Sequence, residues 1–264
     1  MEKLMKAMTI MASGFLACTS AHAAGPEPGR FSLTLLGGGD IPVSGDVHDG
    51  ATVDVPDLGP LNPALAGVDA QLRIGSRTHE RIYDMASTYG VGMSWGLSDR
   101  MEVFGELREA HASAGSVQVG EAFVPALNVA LPVYGRFSSY QAWSAEVGVR
   151  YFFMDAGYAR PYVAARLGGT ETEDINATFK IPAANILIPN APFYEKKWAL
   201  SAGLDVGVNI PLSERASFIA ETGVRYVDDL EGDDSAIGPL GLSRINDTGR
   251  RVSVPVTLAL RWDF

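Results

Sequence analysis

Three sets of residues in this chain have types and spacings that could do chemistry. The first is a series of arginines and carboxylates at alternate positions among apolar neighbours: Glu102, Glu106 and Arg108, then Glu146 and Arg150, Arg166, Asp205, Glu221 and Arg225, and finally Arg261 and Asp263. Acids and arginines nearly balance. A guanidinium satisfies a carboxylate through two parallel hydrogen bonds, so the plain expectation is ion pairing. Exchange of partners would make a gate, and a proton relay is the remaining use. The second set is Glu109, His111 and Ser113, a carboxylate, a base and a nucleophile of the kind an acyl hydrolase needs. Residues two apart on a strand are also common by chance. The third set is an apolar repeat, Val124-Pro125-Ala126-Leu127-Asn128-Val129-Ala130-Leu131-Pro132 and Ile181-Pro182-Ala183-Ala184-Asn185-Ile186-Leu187-Ile188-Pro189. Exposed segments of this kind either pack on one another or bind something.

Other candidates are weaker. His48 and His79 have no metal-ligand spacing, and no metal or cofactor is expected. The acidic runs Glu171 to Asp174 and Asp228 to Asp234 could hold divalent cations, but solvated loop is the plainer reading. Gly90-x-Gly92 with Gly96 alternates within a strand and opens no helix, so it is no dinucleotide loop.

The elements that position these residues are strands. Val252, Val254, Val256, Leu258, Leu260, Trp262 and Phe264 alternate with Ser253, Pro255, Thr257, Ala259, Arg261 and Asp263. Period-two alternation of this length is a strand with one apolar and one polar face. It recurs over Trp198–Ile210, Phe218–Tyr226, Ala145–Phe153, Val163–Leu167, Tyr89–Leu97 and Met101–Arg108, and starts at Phe31, Leu33 and Leu35. That makes about eight strands of the length a tilted membrane strand needs. Ten remain open if Val68 to Ile74 pairs within the first long loop.

Short turns fall at Ser98-Asp99-Arg100, Met154 to Arg160 and Leu212-Ser213-Glu214-Arg215, and long segments at 39–86, 112–139, 170–196 and 229–249. Gly96-Leu97-Ser98-Asp99-Arg100 and Pro211-Leu212-Ser213-Glu214-Arg215 read as one turn used twice. Short periplasmic turns and long extracellular loops are how outer-membrane barrels are built. Aromatic residues gather near strand ends, as two interfacial girdles require: Tyr89, Tyr140, Trp143, Trp198 and Tyr226 above, and Trp95, Tyr151, Phe153, Phe218, Trp262 and Phe264 towards the other end. A soluble β-sandwich or lipocalin-like barrel is the alternative, but it would put its bulky apolar face inside. By strand parity the charged series above faces a narrow lumen and the aromatic face meets lipid.

Composition agrees. The chain has 264 residues, 47% hydrophobic and 20% charged, with a formal charge of −10 and one cysteine. The acidic balance argues against nucleic acid, and no apolar run after the first 25 residues is long enough for a membrane helix. Residues 1–23 read as a signal peptide, with Lys3 and Lys6, an apolar stretch from Met8 to Ala17, and a cleavage site at Ala21-His22-Ala23. Residues 24–264 would then be the barrel domain, without a cysteine. A lipoprotein signal acylated at Cys18 is the competing reading.

The alternating C-terminal strand ending on Phe264 resembles the assembly signal of bacterial outer-membrane barrels, with Ala259 where that signal often has glycine. Together with the turns, it makes the chain similar to the small outer-membrane β-barrel family of OmpA transmembrane-domain, OmpW-like and opacity-type proteins. The resemblance implies an all-β, eight-stranded antiparallel transmembrane barrel with long extracellular loops, integral to the outer membrane of a Gram-negative bacterium. It further implies contact with outer-membrane lipid and lipopolysaccharide, and with the barrel-assembly machinery through the last strand. With Phe264 last, a peptidoglycan-binding domain is not expected. His111-Ala112-Ser113 is slightly similar to the His-x-Ser of lipid A deacylases, but no Asn follows Ser113 and the motif falls on the third strand. The expected role is therefore non-enzymatic: structure or surface interaction around a largely plugged lumen, with a possible apolar ligand or partner at the loops. A narrow porin or hydrophobic-solute channel is the alternative, and an outer-leaflet lipid hydrolase trails it.

Overall fold

In the computed structural model, which describes residues 25–264, eight strands close into an antiparallel barrel. Counting barrel strands alone, they are β1 (Phe31–Ser44), β2 (Ala86–Ser98), β3 (Met101–Ala112), β4 (Tyr140–Phe152), β5 (Arg160–Thr172), β6 (Lys197–Pro211), β7 (Ala216–Val227) and β8 (Arg251–Asp263). Each pairs with its neighbours in sequence, and β1 closes on β8 from Ser32↔Asp263 to Ser44↔Val252. Closure leaves no unpaired barrel edge, which is what a sheet surrounded by hydrocarbon requires. Residues 1–23, expected to be a signal peptide, lie outside the described residues, Cys18 among them.

Alternation sorts the side chains. Leu35, Met93, Leu107, Val147, Leu204 and Val224 are exposed on the outside, whereas the inward positions are mostly polar or charged, with a small apolar cluster that includes Phe104 and Phe152. Two solvents explain this pattern: hydrocarbon on the outside and a confined polar interior on the inside. Tyr89, Trp143, Trp198 and Tyr226 ring one end of the outer face, and Phe31, Trp95, Tyr151, Phe153, Phe218, Trp262 and Phe264 the other. Trp143 and Tyr151 are eight residues apart on β4, roughly 26 Å along the strand and about 20 Å after tilt, close to the apolar height of such barrels. Tyr140 is a correction. Its parity takes it inward, where it is buried under Arg251, 4.8 Å from the guanidinium carbon to the ring centroid, and it belongs to no girdle.

The two related turns use their serine alike. Ser98 Oγ accepts from the Arg100 amide at 3.3 Å, and Ser213 Oγ from those of Arg215 and Ala216 at 3.4 and 3.1 Å.

The long segments are not loops. They fold into a seven-stranded sheet in the order Glu231–Gly232, Ile186–Glu195, Ile175–Ile181, Val129–Phe137, Ser116–Val124, Ala70–Ile74 and Ala51–Val55. Ala70–Ile74 therefore pairs in this cap and adds nothing to the barrel, which stays at eight strands. The cap has its own core, including Val47, Leu58, Val119, Phe137, Ile175 and Phe193, and it is larger than the apolar cluster inside the barrel around Phe104, Phe152 and Tyr162.

The nine-residue repeat forms the tips of two equivalent hairpins. In each, a proline opens a short 3-10 turn (Pro125–Leu127 and Pro182–Ala184) and an asparagine closes it in the left-handed conformation, Asn128 at φ 50° and Asn185 at φ 48°. Asparagine tolerates that region, and β-branched residues do not. Asn185→Val should destabilise the cap by about 1–2 kcal/mol, with Asn185→Gly close to neutral. Protease resistance of the 175–195 hairpin in the refolded protein measures the difference.

Candidate functional site

Two places gather functional side chains, the lumen and the cap. All eleven charged residues of the alternating series are buried inside the barrel. Arg166 sits at the centre: its Nε donates to Asp205 at 2.8 Å, Nη1 to Glu106 at 2.5 Å and to Glu146 at 3.5 Å, and Nη2 to Glu221 at 2.8 Å. Arg225 Nη1 donates to the other Asp205 oxygen at 2.5 Å, and Arg108 Nη2 to Glu106 at 3.0 Å. Below, Arg150 and Arg261 both hold Glu102, the latter at 2.7 Å. Arg261 also reaches Asp263 at 2.7 Å and Ser32 at 2.7 Å, while Ser94 donates to Glu102 at 3.4 Å. With Ser32 on β1 and Ser94 on β2, the network touches all eight strands.

The charged series omits several members of this assembly. Tyr162 donates to Glu221 at 2.8 Å, and the Phe104 ring lies 4.5 Å below Arg150 and 5.0 Å below Arg166. Both follow from parity, Phe104 falling between Glu102 and Glu106. Arg251 pairs with Asp40 at 2.9 Å at the upper end, and Arg160 closes the lower end by donating to the Asp99 carbonyl at 2.6 Å and the Met154 carbonyl at 3.1 Å. Between the network and the Asp40–Arg251 pair lies a chamber of about 30 Å³, lined in part by Thr88, Arg108 and Arg225. That is room for one or two waters.

The buried arginines and carboxylates of the lumen form one dense set of ion pairs. Ions taken out of water are costly unless each is paired, and here the pairing is dense.

The outward constellation assembles less. Glu109 hydrogen-bonds the Tyr89 hydroxyl, while His111 and Ser113 are exposed and share no hydrogen bond among the described residues. The acidic runs are occupied as well. Lys196 binds Glu173 at 2.8 Å and Glu171 at 3.3 Å, Asp229 accepts from the Arg250 amide at 3.0 Å, and Asp234 accepts from the Arg244 amide at 3.1 Å. Among the described residues no cluster of three His, Cys, Asp or Glu could hold a metal ion.

In the cap, the apolar repeat does two things. Ile181 and Ile186 turn into the core, while Leu127 (71% exposed) and Leu187 (60% exposed) stand outside. His48 and His79 are both buried. His79 opens the short helix His79–Ile82 over the barrel mouth, stacks on Tyr83, and has its pKa depressed to about 3 by burial, with the Arg251 charge adding to it. Burial also lowers the pKa of His48.

No protein-family profile matches the chain, and no curated protein matches it. Solved structures match in shape. Neisserial surface protein A is 10% identical at a TM-score of 0.44, over 89% of this chain and 97% of that one. Outer membrane protein OprG from Pseudomonas aeruginosa is 15% identical at 0.40, over 91% and 98%. The outer membrane protease OmpT from Escherichia coli is 9% identical at 0.42, over 92% and 99%. The chain is built as an outer-membrane β-barrel. That statement rests on the closed sheet, the apolar outer face and the two girdles, since likenesses at these scores carry no argument of their own.

Two outcomes follow from the geometry. Arg166→Met takes one partner from each of four buried carboxylates and should cost about 3–5 kcal/mol, well above Arg108→Met, with urea unfolding followed by heat-modifiable gel mobility as the measurement. His79 is held neutral when folded and takes a proton more readily when unfolded, so its contribution is complete above about pH 6.5 and declines as pH falls towards 3. Cap stability should drop by about 3 kcal/mol between pH 6.5 and 4, and His79→Phe should flatten that slope.

Proposed function

We propose that the barrel is a sealed anchor in the outer membrane of a Gram-negative bacterium and that the folded extracellular cap carries the function, a non-enzymatic surface interaction. One observation carries the reading: ion pairs and the serines hydrogen-bonded to them fill the lumen and reach every strand, while the segments above it form a sheet with a core of its own. A conducting barrel keeps water in its lumen and needs no second domain over its mouth. Here Arg160 closes one end, and the Asp40–Arg251 pair with the His79–Ile82 helix closes the other.

The partners follow from the same surfaces. The girdles and apolar belt meet outer-membrane lipid, the outer rim meets lipopolysaccharide, and the β8 strand with Phe264 serves the barrel-assembly machinery. The exposed hairpin tips at Leu127 and Leu187 offer apolar contact to a partner at the cell surface.

Conductance tests the reading. The refolded barrel in a planar bilayer should give no discrete steps, and removal of 124–132 and 181–189 should leave its heat-modifiable mobility unchanged. Discrete steps in the unmodified protein that shift in Arg150→Ala would replace the anchor with a gated pore.

A further inference from the structure

Residues 25–30, just before β1, are held at the lower mouth of the barrel, and nothing above gives them a role. Gly25 and Pro26 are buried. A side chain on Gly25 would run into the guanidinium of Arg160, so the Gly25 backbone lies directly on that group. Arg160 is itself buried, with the Phe152 ring 5.0 Å from its guanidinium carbon. The barrel wall makes room for the same segment. Gly96 is at an inward position of β2, two residues from the lumen serine Ser94, and a side chain there would run into the backbone of Glu27. One glycine on the segment and one on the wall thus leave the space that the segment fills.

The course of the segment has a local cause. The pairing of β1 with β2 runs one residue past Phe31: the Gly96 amide donates to the Arg30 carbonyl and the Gly29 amide to the Gly96 carbonyl, both at 2.9 Å. Gly29 stands at φ 79°, a conformation open to glycine, and there the chain leaves the wall. The Arg30 amide closes the hook by donating to the Glu27 carbonyl at 3.0 Å, and the Arg30–Glu27 ion pair at 2.9 Å reinforces it. Pro26 and Pro28 stiffen the hook, and neither carries an amide N–H that a buried site would have to satisfy. Among the described residues, 25–28 make no hydrogen bond to the wall. The segment can therefore be unseated without breaking a barrel pair.

We infer that residues 25–30 are a strap that stops the periplasmic mouth of the lumen and keeps water from the lower ion pairs, Arg261 with Glu102 and Asp263. The two ends are closed differently: the upper by folded structure, the lower by a removable segment. Water enters the lumen from below when the strap is out. The inference deepens the sealed-anchor reading and rests on it for the upper closure alone.

The test is thiol accessibility in the full chain in lipid nanodiscs, with Cys18, the only cysteine, replaced by serine throughout. Ser217 is buried opposite Arg261 at the lower end, and its hydroxyl has no hydrogen-bond partner among the described residues, so Ser217→Cys is a mild probe. The reagent is a membrane-impermeant cationic methanethiosulfonate, and Glu214→Cys on the exposed turn is the reference. Heat-modifiable mobility confirms the folded barrel in each case. With the strap seated, the thiol at 217 should react about a hundredfold more slowly than the reference, and Gly25→Val or Gly96→Val should each speed it about tenfold or more. A thiol at 217 that reacts as fast as the reference with both glycines in place overturns the inference. So does one that stays slow in Gly25→Val, which lies outside every barrel strand and reports even where Gly96→Val fails to fold. The anchor is read separately, by conductance. A silent barrel with a freely reactive thiol loses the strap and keeps its anchor, whereas discrete steps that appear only in Gly25→Val keep the strap and remove the anchor.

Discussion

Eight strands closed on themselves leave an interior about one side chain wide, and a polar group placed there has no bulk water to turn to. Because the outer face must be apolar to meet hydrocarbon, the polar residues along the middle of the barrel strands are driven to that interior. The charges inside then have to satisfy one another. Arg166 reaching four carboxylates, and Glu102 shared between Arg150 and Arg261, are what that requirement looks like in side chains. Apolar filling of the same volume would hold the sheet together as well or better. What the ions add is specificity: a one-residue slip of any strand would turn its charges into lipid and leave its partners bare.

The protein consequently has two interiors of opposite polarity. Inside the barrel, charge is buried and apolar surface is exposed, and in the cap the ordinary arrangement returns. The two meet at a short junction where Tyr83 packs edge-on against Tyr140 at 5.9 Å, and Tyr140 lies against Arg251, which holds Asp40. Aromatic rings suit this boundary because one side can pack on aliphatic residues while the face meets a guanidinium. The helix His79–Ile82 sits on the junction, so acid that charges His79 acts where the cap is seated on the barrel.

How much of this was legible in the sequence depended on whether two solvents were acting. For the barrel strands they were, and alternation placed the strands, the inward arginines and carboxylates, and the outward aromatics. Tyr140 shows the limit. Its residue type argued for a girdle, its parity for the lumen, and parity prevailed because a β-strand cannot turn one side chain to the wrong face. Asp40 and Arg251 were missed because each sits just outside the stretch where bulky alternation was visible, Asp40 after three glycines and Arg251 one residue before Val252. The cap strands were illegible for a different reason. Ala51–Val55 and Ala70–Ile74 do alternate, but over five residues only, which is too short to stand out from loop, and Val129–Phe137 and Ile186–Glu195 are interrupted by proline. The repeat did signal its two hairpins, through the shared proline and asparagine, but not that their strands would join one sheet.

The cap sheet is open, unlike the barrel, and its edges are handled in other ways. At one end Ala51–Val55 is short and carries Asp54, whose carboxylate takes the Gln71 amide at 3.0 Å. At the other, the final strand is the two residues Glu231–Gly232. Short and charged edges discourage further strands from adding. Apolar exposure on the hairpins is concentrated at their tips, where Leu127 and Leu187 follow equivalent turns. Most barrel residues answer to the rule of lipid outside and charge inside, which leaves little freedom for recognition. The cap escapes that rule: its strands bury apolar side chains in a core of their own and are free to present polar and apolar groups alike at the surface.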